Sequence, residues 1–303
     1  HGVMRIPRYL ERVRNGTLHP MARPTVRRRQ GANAAVDGGW GFGQASAQFG
    51  TELAIEICRE HGQAGVALGN THHIGRLGDY AETLAAAGLA GLIMTGGGNR
   101  GGSVAPHGGR QRLLGTNPIA MAVPTPPPHP PLVLDFATSA LPEGKLAIAR
   151  ANGRPVPAAC IVDRDGRPST NPADFYDGGA LLPFGAHKGS ALVLMVEILA
   201  TALAGSAPIA LPGYTMGNPT LILAWSIESF VSREAFAAIV GDLLTRVRTS
   251  PPAEGFSEVL LPGEIEARTR ARREQGGIPV SDGVWADLTT LAASLGVVPP
   301  GEA

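Results

Sequence analysis

The sequence is poor in cysteine, in net charge and in long apolar runs, and each shortage excludes a class of protein. Cys58 and Cys160 lie far apart and match no metal-ligand spacing, which favours two buried thiols in a reducing compartment over a disulfide. Lys and Arg number 26 against 25 Asp and Glu, so a net charge of +1 indicates neither a nucleic-acid partner nor a membrane surface. We expect no membrane span and no signal peptide, and therefore a cytoplasmic protein.

Glycine and proline are abundant, with 41 and 26 residues, whereas charged residues make up 17% and aromatic residues 5% of the chain. This composition is typical of a loop-rich globular α/β protein. The 303 residues suffice for a substantial core in one large domain or two intertwined domains. Because the first residue is His1 and not methionine, we expect that a further segment precedes it.

The stretch Leu181–Ser206 combines a glycine-bearing loop, two adjacent basic residues and an apolar segment of helix length. Free backbone N–H groups and the positive end of a helix dipole would lie beside His187 and Lys188. This combination predicts a loop that binds a phosphate or a carboxylate, although a helix start with a solvated lysine is the alternative. The apolar residues that follow, interrupted chiefly by Glu197, predict a buried helix.

Hydrophobic periodicity predicts an α/β fold. A strand at Gly65–Leu68, a polar loop, a helix at Asp79–Ala87 and a strand at Ala90–Met94 follow one another in the order of an α/β unit. We expect residues 20–29 to form an extended connection. The further predicted helices are Pro7–Arg14, Gln44–His61, Leu146–Asn152, Arg233–Thr249, Ile265–Gln275 and Asp282–Leu295, and the further predicted strands are Ile119–Val123, Leu132–Leu134 and Thr220–Ser226.

The glycine-rich residues 95–116 include a literal G-x-G-x-x-G match at Gly96, Gly98 and Gly101. No helix is predicted after the match, so the context of a Rossmann dinucleotide loop is missing and we discount it. A loop of this length in a compact domain nevertheless favours a functional role. The pair His72-His73 has no carboxylate at ligand spacing, and we predict no metal site.

Polar residues recur in loops beside the predicted strands and helices, where α/β scaffolds place their ligand sites. Taken singly, each has a structural alternative: Lys145 could be a solvated helix residue and Asp135 a simple cap. The motifs that contain these residues read HGVMRIPRYLERVRNGTLHP, HHIGRLGDYAE, GTNPIAMAVP, LDFATSALPEGKLAIARANG, ALLPFGAHKGSALVLMVEILA and the late LPGE…R…GGIPV.

Together these motifs resemble the malate/L-lactate dehydrogenase family, in order from His1 to about Val280. The family consists of NAD(P)-dependent 2-oxoacid reductases without a Rossmann fold, and HHIGRLGDYAE and VAPHGGRQRLLGTNP look closest to its hydroxycarboxylate dehydrogenase branch. The resemblance implies a central cofactor-binding sheet domain and a helical or mixed domain built from both chain ends. We expect an NAD(P)-binding domain at residues 62–226 and a substrate and dimerisation domain at residues 1–61 and 227–303.

The resemblance also implies roles for individual residues. In the family's S-H-G-x-x-R pattern the histidine donates a proton to the substrate oxygen, and His1 is its counterpart; imidazole chemistry near neutral pH suits that role. Arg5 matches the arginine that binds the substrate carboxylate through its fork of N–H donors. Lys145 matches an acid/base relay that could also polarise the carbonyl, and Thr116 matches a position near the substrate.

The cofactor-binding segments of the family have counterparts here as well. The matching residues are His73, Ile74, Gly75, Arg76, Asp135, Phe136, Ala137, His187, Lys188, Gly263 and Glu264. The implied activity is hydride transfer between NAD or NADP, with NADH weakly preferred, and a small 2-oxo acid or L-2-hydroxy acid. The implied assembly is a homodimer, with no nucleic-acid or membrane partner.

Two other functions remain open from the sequence. A cyclic imino acid reductase would use the same histidine, arginine and cofactor residues, so only a substrate panel separates it from a 2-hydroxy acid dehydrogenase. A degenerate member that binds the cofactor without turnover is the second alternative. Its support is the loop PFGAHKGSA, in which Ala186, Ser190 and Ala191 stand where the family's PFGGHKGYG has Gly, Tyr and Gly.

Overall fold

The computed structural model describes residues 2–127 and 129–298, so His1, the predicted proton donor, lies outside the described residues. The predicted helices and strands are confirmed, most of them with small shifts at their ends. The strands are β1 (Thr25–Gln30), β2 (Asn33–Asp37), β3 (Gln63–Gly69), β4 (Leu89–Thr95), β5 (Ile119–Val123), β6 (Leu132–Phe136), β7 (Ile161–Val162), β8 (Pro168–Ser169), β9 (Ala180–Leu181) and β10 (Thr220–Ser226). The helices are α1 (Ile6–Arg14), α2 (Gly43–His61), α3 (Leu77–Ala86), α4 (Glu143–Ala151), α5 (Pro172–Tyr176), α6 (Ala186–Glu197), α7 (Arg233–Arg248), α8 (Glu264–Gly276) and α9 (Asp282–Leu295).

A seven-stranded mixed sheet in the order β1-β2-β3-β10-β4-β5-β6 forms the centre of the fold. β2 and β3 run parallel, and the other neighbouring pairs in this sheet are antiparallel. β10 lies between β3 and β4, so a strand from late in the chain separates the two strands that α3 connects. The predicted α/β class with a non-Rossmann sheet is confirmed, because a Rossmann sheet is mostly parallel.

Different helices cover the two faces of the central sheet, and the alternation of side chains along each strand decides which residue faces which helix. Ile222 of β10 packs with residues of α2 and α3. Its neighbour Leu221 packs on the other face with Val196 of α6 and with Ala200 of the π-helical turn that follows α6. The sheet is therefore covered on both faces.

The predicted domain boundary between residues 61 and 62 falls between α2 and β3, which contribute to the same apolar core. β1 and β2 likewise precede residue 62 and belong to the central sheet. The sheet therefore extends beyond the predicted range of 62–226. The division of the chain into a cofactor domain and a substrate domain stays a prediction.

Residues 20–29 were expected to be an extended connection, and the structure shows a strand in its place. β1 pairs with β2 along the edge of the central sheet. The sequence of β1, TVRRRQ, lacks the alternation of apolar and polar residues that identifies a half-buried strand. In agreement with this, every residue of β1 is exposed. Charged side chains on an edge strand also discourage pairing with other chains.

A smaller sheet of β8, β7 and β9 has an apolar core of its own. Leu146 of α4, Phe175 of α5 and Val193 of α6 pack in this core with Ile161 of β7. This packing fixes the first turn of α4, which carries Lys145, against the rest of the molecule.

Both cysteines are buried and free, as predicted from their spacing. Cys58 belongs to the core under α2, and Cys160 belongs to the core of the smaller sheet. Burial raises the pKa of both thiols.

The predicted burial of α6 is confirmed for one stripe of the helix only. Val193 and Val196 are buried, but Leu194 and Met195 are 49% and 51% exposed, because only one stripe of the helix packs against the sheet. In the described ranges, neither α6 nor any other helix has the length and apolar character that crossing a membrane requires.

We expect the substitution Ile222→Ala to lower the free energy of unfolding by about 2–5 kcal/mol, because it leaves a cavity between the sheet and its helices. Ile222 is fully buried, whereas Ile239 on α7 is 66% exposed. The matched variant Ile239→Ala should change stability by at most about 0.5 kcal/mol. Urea denaturation of both variants measures the difference, and equal effects would contradict the assigned core.

Candidate active site

A cleft of about 780 Å³ lies at one end of the central sheet. The carboxyl ends of β3, β4 and β6 meet there with the amino ends of β5 and β10. The loops that line the cleft therefore come from distant parts of the chain, and residues of α1 and α4 complete it. The volume falls in the range of about 300–1,000 Å³ that small-molecule and cofactor sites occupy.

Most of the residues predicted to bind substrate or cofactor line this single cleft. They are Arg5, His73, Ile74, Gly75, Arg76, Thr116, Asp135, Phe136, Ala137 and Lys145. Gly263 lines an adjoining hollow of about 260 Å³, which shares Arg76, Asp135, Phe136 and Glu266 with the cleft. The individual roles of these residues stay predictions.

His187 and Lys188 do not line the cleft. Both side chains are exposed in the first turn of α6. Phe184, in the loop before them, contacts the cleft residue Phe136. The two rings meet edge to face with 5.4 Å between their centroids. Their predicted contact with the cofactor stays a prediction.

Glu264 is likewise directed away from the cleft. Its carboxylate accepts a hydrogen bond from the backbone N–H of Leu261 at 2.9 Å and forms an ion pair with Arg248 of α7. These contacts stabilise the start of α8 and join it to α7. Glu266, two residues further on, lines the cleft and was not predicted from the sequence.

His73 presents a neutral imidazole to the cleft, and Tyr9 and Gln44 form a hydrogen-bond chain that ends at its Nδ1. Gln44 Nε2 donates to Tyr9 Oη at 2.7 Å, and Tyr9 Oη lies 2.7 Å from His73 Nδ1. Tyr9 and Gln44 thereby fix the orientation of the imidazole ring. Burial, followed by the positive charge of Arg5, lowers the pKa of His73 to about 4.

The adjacent His72 has a structural role. It is buried, its Nε2 donates to the carbonyl of Thr17 at 2.7 Å, and its Nδ1 accepts from Arg12 Nη1 at 2.7 Å. Burial lowers the pKa of His72 as well. The two histidines thus have separate partners, and no cluster of three His, Cys, Asp or Glu that could hold a metal occurs among the residues that the structure describes.

Three arginines of the N-terminal segment line one side of the cleft. Arg5 was predicted from the sequence, whereas Arg8 and Arg12 were not. Within residues 2–127 and 129–298, none of the three forms an ion pair with a carboxylate, and Arg5 Nε is buried without a hydrogen-bond acceptor. This side of the cleft is therefore suited to an anion.

The part of the cleft that adjoins the hollow carries carboxylates. Arg76 Nη1 pairs with Asp79 at 2.6 Å and with Glu82 at 2.8 Å, and its Nε lies 3.7 Å from Asp135. The same carboxylate of Asp135 accepts the backbone N–H of Gly78 at 2.8 Å, while burial raises its pKa. These carboxylates therefore already neutralise the positive charge of Arg76.

Glu197, the residue that interrupts the apolar run of α6, supports the floor of the cleft. It is 1% exposed, and its carboxylate accepts from Asn117 Nδ2 at 2.8 Å, from the N–H of Ile209 at 2.7 Å and from that of Gly97 at 3.3 Å. Asn117, one of the polar loop residues expected near a ligand site, lines the cleft with a positive φ of 32°. The sequence signal for this buried hydrogen-bond network was Glu197, a single acidic residue in an otherwise apolar helix.

Comparisons with known proteins agree on one family. The sequence model of the malate/L-lactate dehydrogenase family matches residues 1–289. An L-lactate dehydrogenase of Cupriavidus necator is 37% identical over 99% of this chain and 87% of its own length, and hydroxycarboxylate dehydrogenase B of Escherichia coli O157:H7 is 37% identical over 98% and 83%. The solved structure of sulfolactate dehydrogenase from Methanocaldococcus jannaschii is 33% identical, with a TM-score of 0.86 over 98% of this chain and 86% of that one.

The lowered pKa of His73 predicts a pH dependence of stability. Between pH 6.5 and about 4 the unfolded chain binds a proton at this residue and the folded protein does not, so the free energy of unfolding falls as the pH falls through this window. The slope due to His73 should reach at most about 1.4 kcal/mol per pH unit. Urea denaturation of the wild type and of His73→Gln at several pH values isolates it, since the contribution of His72 cancels. Equal slopes would contradict the buried, neutral imidazole.

Proposed function

The chain belongs to the malate/L-lactate dehydrogenase family and is an oxidoreductase of 2-hydroxy acids, and from this premise we propose that it transfers hydride between a nicotinamide cofactor and a small 2-oxo acid. The observation that carries the proposal is the buried Nε of Arg5, which has no acceptor among the described residues and lies in the same cleft as Lys145 and His73. A substrate carboxylate would supply the missing acceptor.

Arg5 binds the carboxylate of the substrate. A guanidinium offers a planar fork of donors that matches two carboxylate oxygens, and charge-assisted bonds of this kind are stronger than neutral ones. Fixing the carboxylate also fixes the neighbouring carbonyl carbon, whose position decides whether hydride can reach it. Arg5 is thus a substrate-orienting residue.

Lys145 and His73 act on the carbonyl side of the substrate. Lys145 lies in the first turn of α4, where its charge and the helix dipole both favour negative charge developing on the substrate oxygen. His73, whose lowered pKa of about 4 keeps its imidazole neutral near neutral pH, lies in the same cleft. His1 donates the proton to the oxygen in this proposal, on the strength of the family pattern alone, and Thr116 contacts the substrate.

The residues of the cleft fit NAD(P), which supplies the hydride. The cleft and the adjoining hollow together offer room for a dinucleotide, and Gly96, Gly97 and Gly98 line the cleft with backbone that carries no side chain. Residues 73–76 and 135–137 would hold the cofactor. Because carboxylates already surround Arg76, an additional 2′-phosphate would meet repulsion there, which supports NADH over NADPH.

A homodimer in the cytoplasm completes the proposal. The outer side of α6 supports a partner surface, because Leu194, Met195 and Ile198 are apolar and each is roughly half exposed in the single chain. The two buried free thiols are consistent with a reducing compartment.

Steady-state kinetics test this function. We expect the wild type to oxidise NADH faster than NADPH in the presence of 2-oxo acids, in a panel that contains pyruvate, oxaloacetate, phenylpyruvate and a cyclic imino acid. Reduction of the imino acid in preference to every 2-oxo acid would favour the imine reductase. Cofactor binding without turnover of any compound would favour the degenerate enzyme.

The Arg5→Lys variant tests the substrate-binding role within this assay. Loss of the fork should lower kcat/KM for 2-oxo acids by about 100-fold, as expected for a charged bidentate contact worth about 2–3 kcal/mol. The dissociation constant of NADH should change by less than about threefold. Arg14→Lys, at the exposed end of the helix α1 that Arg5 immediately precedes, is the matched control. Weaker NADH binding in Arg5→Lys with an unchanged KM for the acid would contradict the assignment.

A further inference from the structure

The carboxylate of Glu197 joins three segments of the cleft wall that are far apart in the sequence. Its Oε2 accepts hydrogen bonds from Asn117 Nδ2 at 2.8 Å and from the backbone N–H of Gly97 at 3.3 Å, and its Oε1 accepts from the N–H of Ile209 at 2.7 Å. Gly97, Asn117 and Ile209 line the cleft, whereas Glu197 itself does not. One buried side chain therefore fixes the wall of the cleft from behind.

The side chain of Asn117 depends on α6 for its orientation. Its Nδ2 donates to Glu197 and, at 3.1 Å, to the carbonyl of Val193 on the same helix. Its Oδ1 is buried and accepts from no donor among the residues that the structure describes. The amide group thus has no support outside this helix. The neighbouring Thr116 is the residue proposed to contact the substrate.

Glycines let these segments lie directly against one another and against the helix. A Cβ on Gly96 would lie 2.8 Å from Thr201 Cγ2, in the π-helical turn that follows Glu197. A Cβ on Gly115 would lie 2.2 Å from the carbonyl oxygen of Gly97. Neither contact leaves room for a side chain, and interiors packed this closely transmit displacements. Turns of π-helix within α-helices are also frequent at functional sites.

Packing alone does not explain an acidic residue at position 197. Glu197 is 1% exposed and lies on the stripe of α6 that also carries the fully buried Val193 and Val196. Removing a carboxyl group from water is unfavourable unless the protein satisfies its hydrogen-bonding capacity. All three donors that satisfy this carboxylate belong to the cleft wall. The acidic group is therefore explained by the cleft and not by the core.

We propose that Glu197 is a positioning residue for hydride transfer. It touches neither substrate nor cofactor, but it holds residues 96–98 and 115–117 in the arrangement that brings the nicotinamide and the 2-oxo acid into reactive contact. The inference rests on the proposed function, in which Thr116 contacts the substrate and the glycines at residues 96–98 border the cofactor. Misplacement of reacting groups by about 1 Å lowers a rate by about 100-fold, so a small shift of these segments is sufficient.

Loss of this support should affect the reaction more than the binding of the cofactor. The hollow into which the proposed dinucleotide continues is bordered by Arg76, Asp135, Gly263 and Glu266. None of the three segments held by Glu197 borders that hollow. We therefore expect kcat to fall while the Kd of NADH stays nearly unchanged.

Glu197→Gln tests the proposal with almost no change in shape. Whichever way the new amide points, its Nε2 opposes either the N–H of Ile209 or the donors of Gly97 and Asn117. We expect kcat with 2-oxo acids to fall by about 10- to 100-fold, and the Kd of NADH to change by less than about threefold. With NADH deuterated at C4, the isotope effect on kcat should be at least as large as in the wild type, because hydride transfer becomes the slow step.

Val196→Ala is the matched control, because this neighbouring side chain is fully buried in the same helix and packs against the sheet, not against the cleft segments. It should lower the urea midpoint of unfolding, leave kcat within about twofold and leave the isotope effect unchanged. Three results would overturn the inference: a folded Glu197→Gln protein with wild-type kcat, a fall in kcat with a smaller isotope effect, or an equal loss of kcat in Val196→Ala.

Asn117→Gly is a second variant that breaks the same network from the other side. It removes the amide donor at a position whose φ of 32° suits glycine, and it leaves Glu197 bonded to Gly97 and Ile209. We expect kcat to fall by about three- to tenfold, the effect of one hydrogen bond. If Glu197→Gln does not fold, an unchanged kcat in Asn117→Gly overturns the inference. If both variants fold, their effects on kcat should be less than multiplicative in the double variant, and fully multiplicative effects would overturn it.

Exchange of backbone amide hydrogens separates this inference from the proposed function, because it needs no turnover. In the protein without cofactor, the carboxylate of Glu197 protects the amides of Gly97 and Ile209. NMR should show that at least one of the two exchanges about tenfold faster in Glu197→Gln, and that neither is selectively faster in Val196→Ala. Unchanged exchange in Glu197→Gln would overturn the inference. Faster exchange in a protein whose wild type reduces no 2-oxo acid would count against the proposed function alone.

Discussion

The position of β10 between β3 and β4 is the constraint on which the cleft depends. β10 pairs antiparallel with both neighbours, so the loops that follow β3 and β4 and the segment that precedes β10 emerge at the same end of the sheet. Three backbone bonds join these segments: the N–H of Gly96 donates to Pro219 at 3.0 Å, that of Gly98 donates to Gly217 at 2.8 Å, and that of Asn218 donates to Thr71 at 2.9 Å. The cleft is therefore framed by backbone pairing as well as by side-chain packing.

Electrostatics divides this framed space into two parts. On the side of α1, arginines are oriented by neutral groups and keep their charge available to a ligand. Near the adjoining hollow, Arg76 is surrounded by carboxylates, and Asp135 is held by the backbone of Gly78. His73, neutral and in contact with Tyr9, lies in the same cleft. Such a distribution suits an anionic substrate on one side and a polar, largely neutralised cofactor segment on the other.

The sequence was sufficient for the regular elements with buried faces and, through the family resemblance, for ten of the residues that line the cleft. Periodicity located β10 but could not show that it lies between β3 and β4, because pairing partners are set by long-range packing. β1 was not predicted as a strand, because all its residues are exposed and its sequence therefore carries no buried face. In the sequence, Arg8 and Arg12 resemble the solvent-exposed face of an amphipathic helix. The structure shows that this face lines the cleft. Glu264 matched the family pattern, yet its local contacts direct the carboxylate to Arg248.

The central claim is that hydride passes from the nicotinamide to C2 of a 2-oxo acid. Following that hydride with an isotope tests the claim most directly. NADH deuterated at C4 of the nicotinamide, in each of its two stereoisomers, would be incubated with the protein and a 2-oxo acid, and the product would be analysed by mass spectrometry and NMR. The account predicts that one of the two stereoisomers transfers deuterium to C2 of the hydroxy acid, and that ordinary NADH in heavy water gives a product without deuterium at C2. A product that takes its C2 hydrogen from solvent, or no product with any 2-oxo acid, would contradict the account.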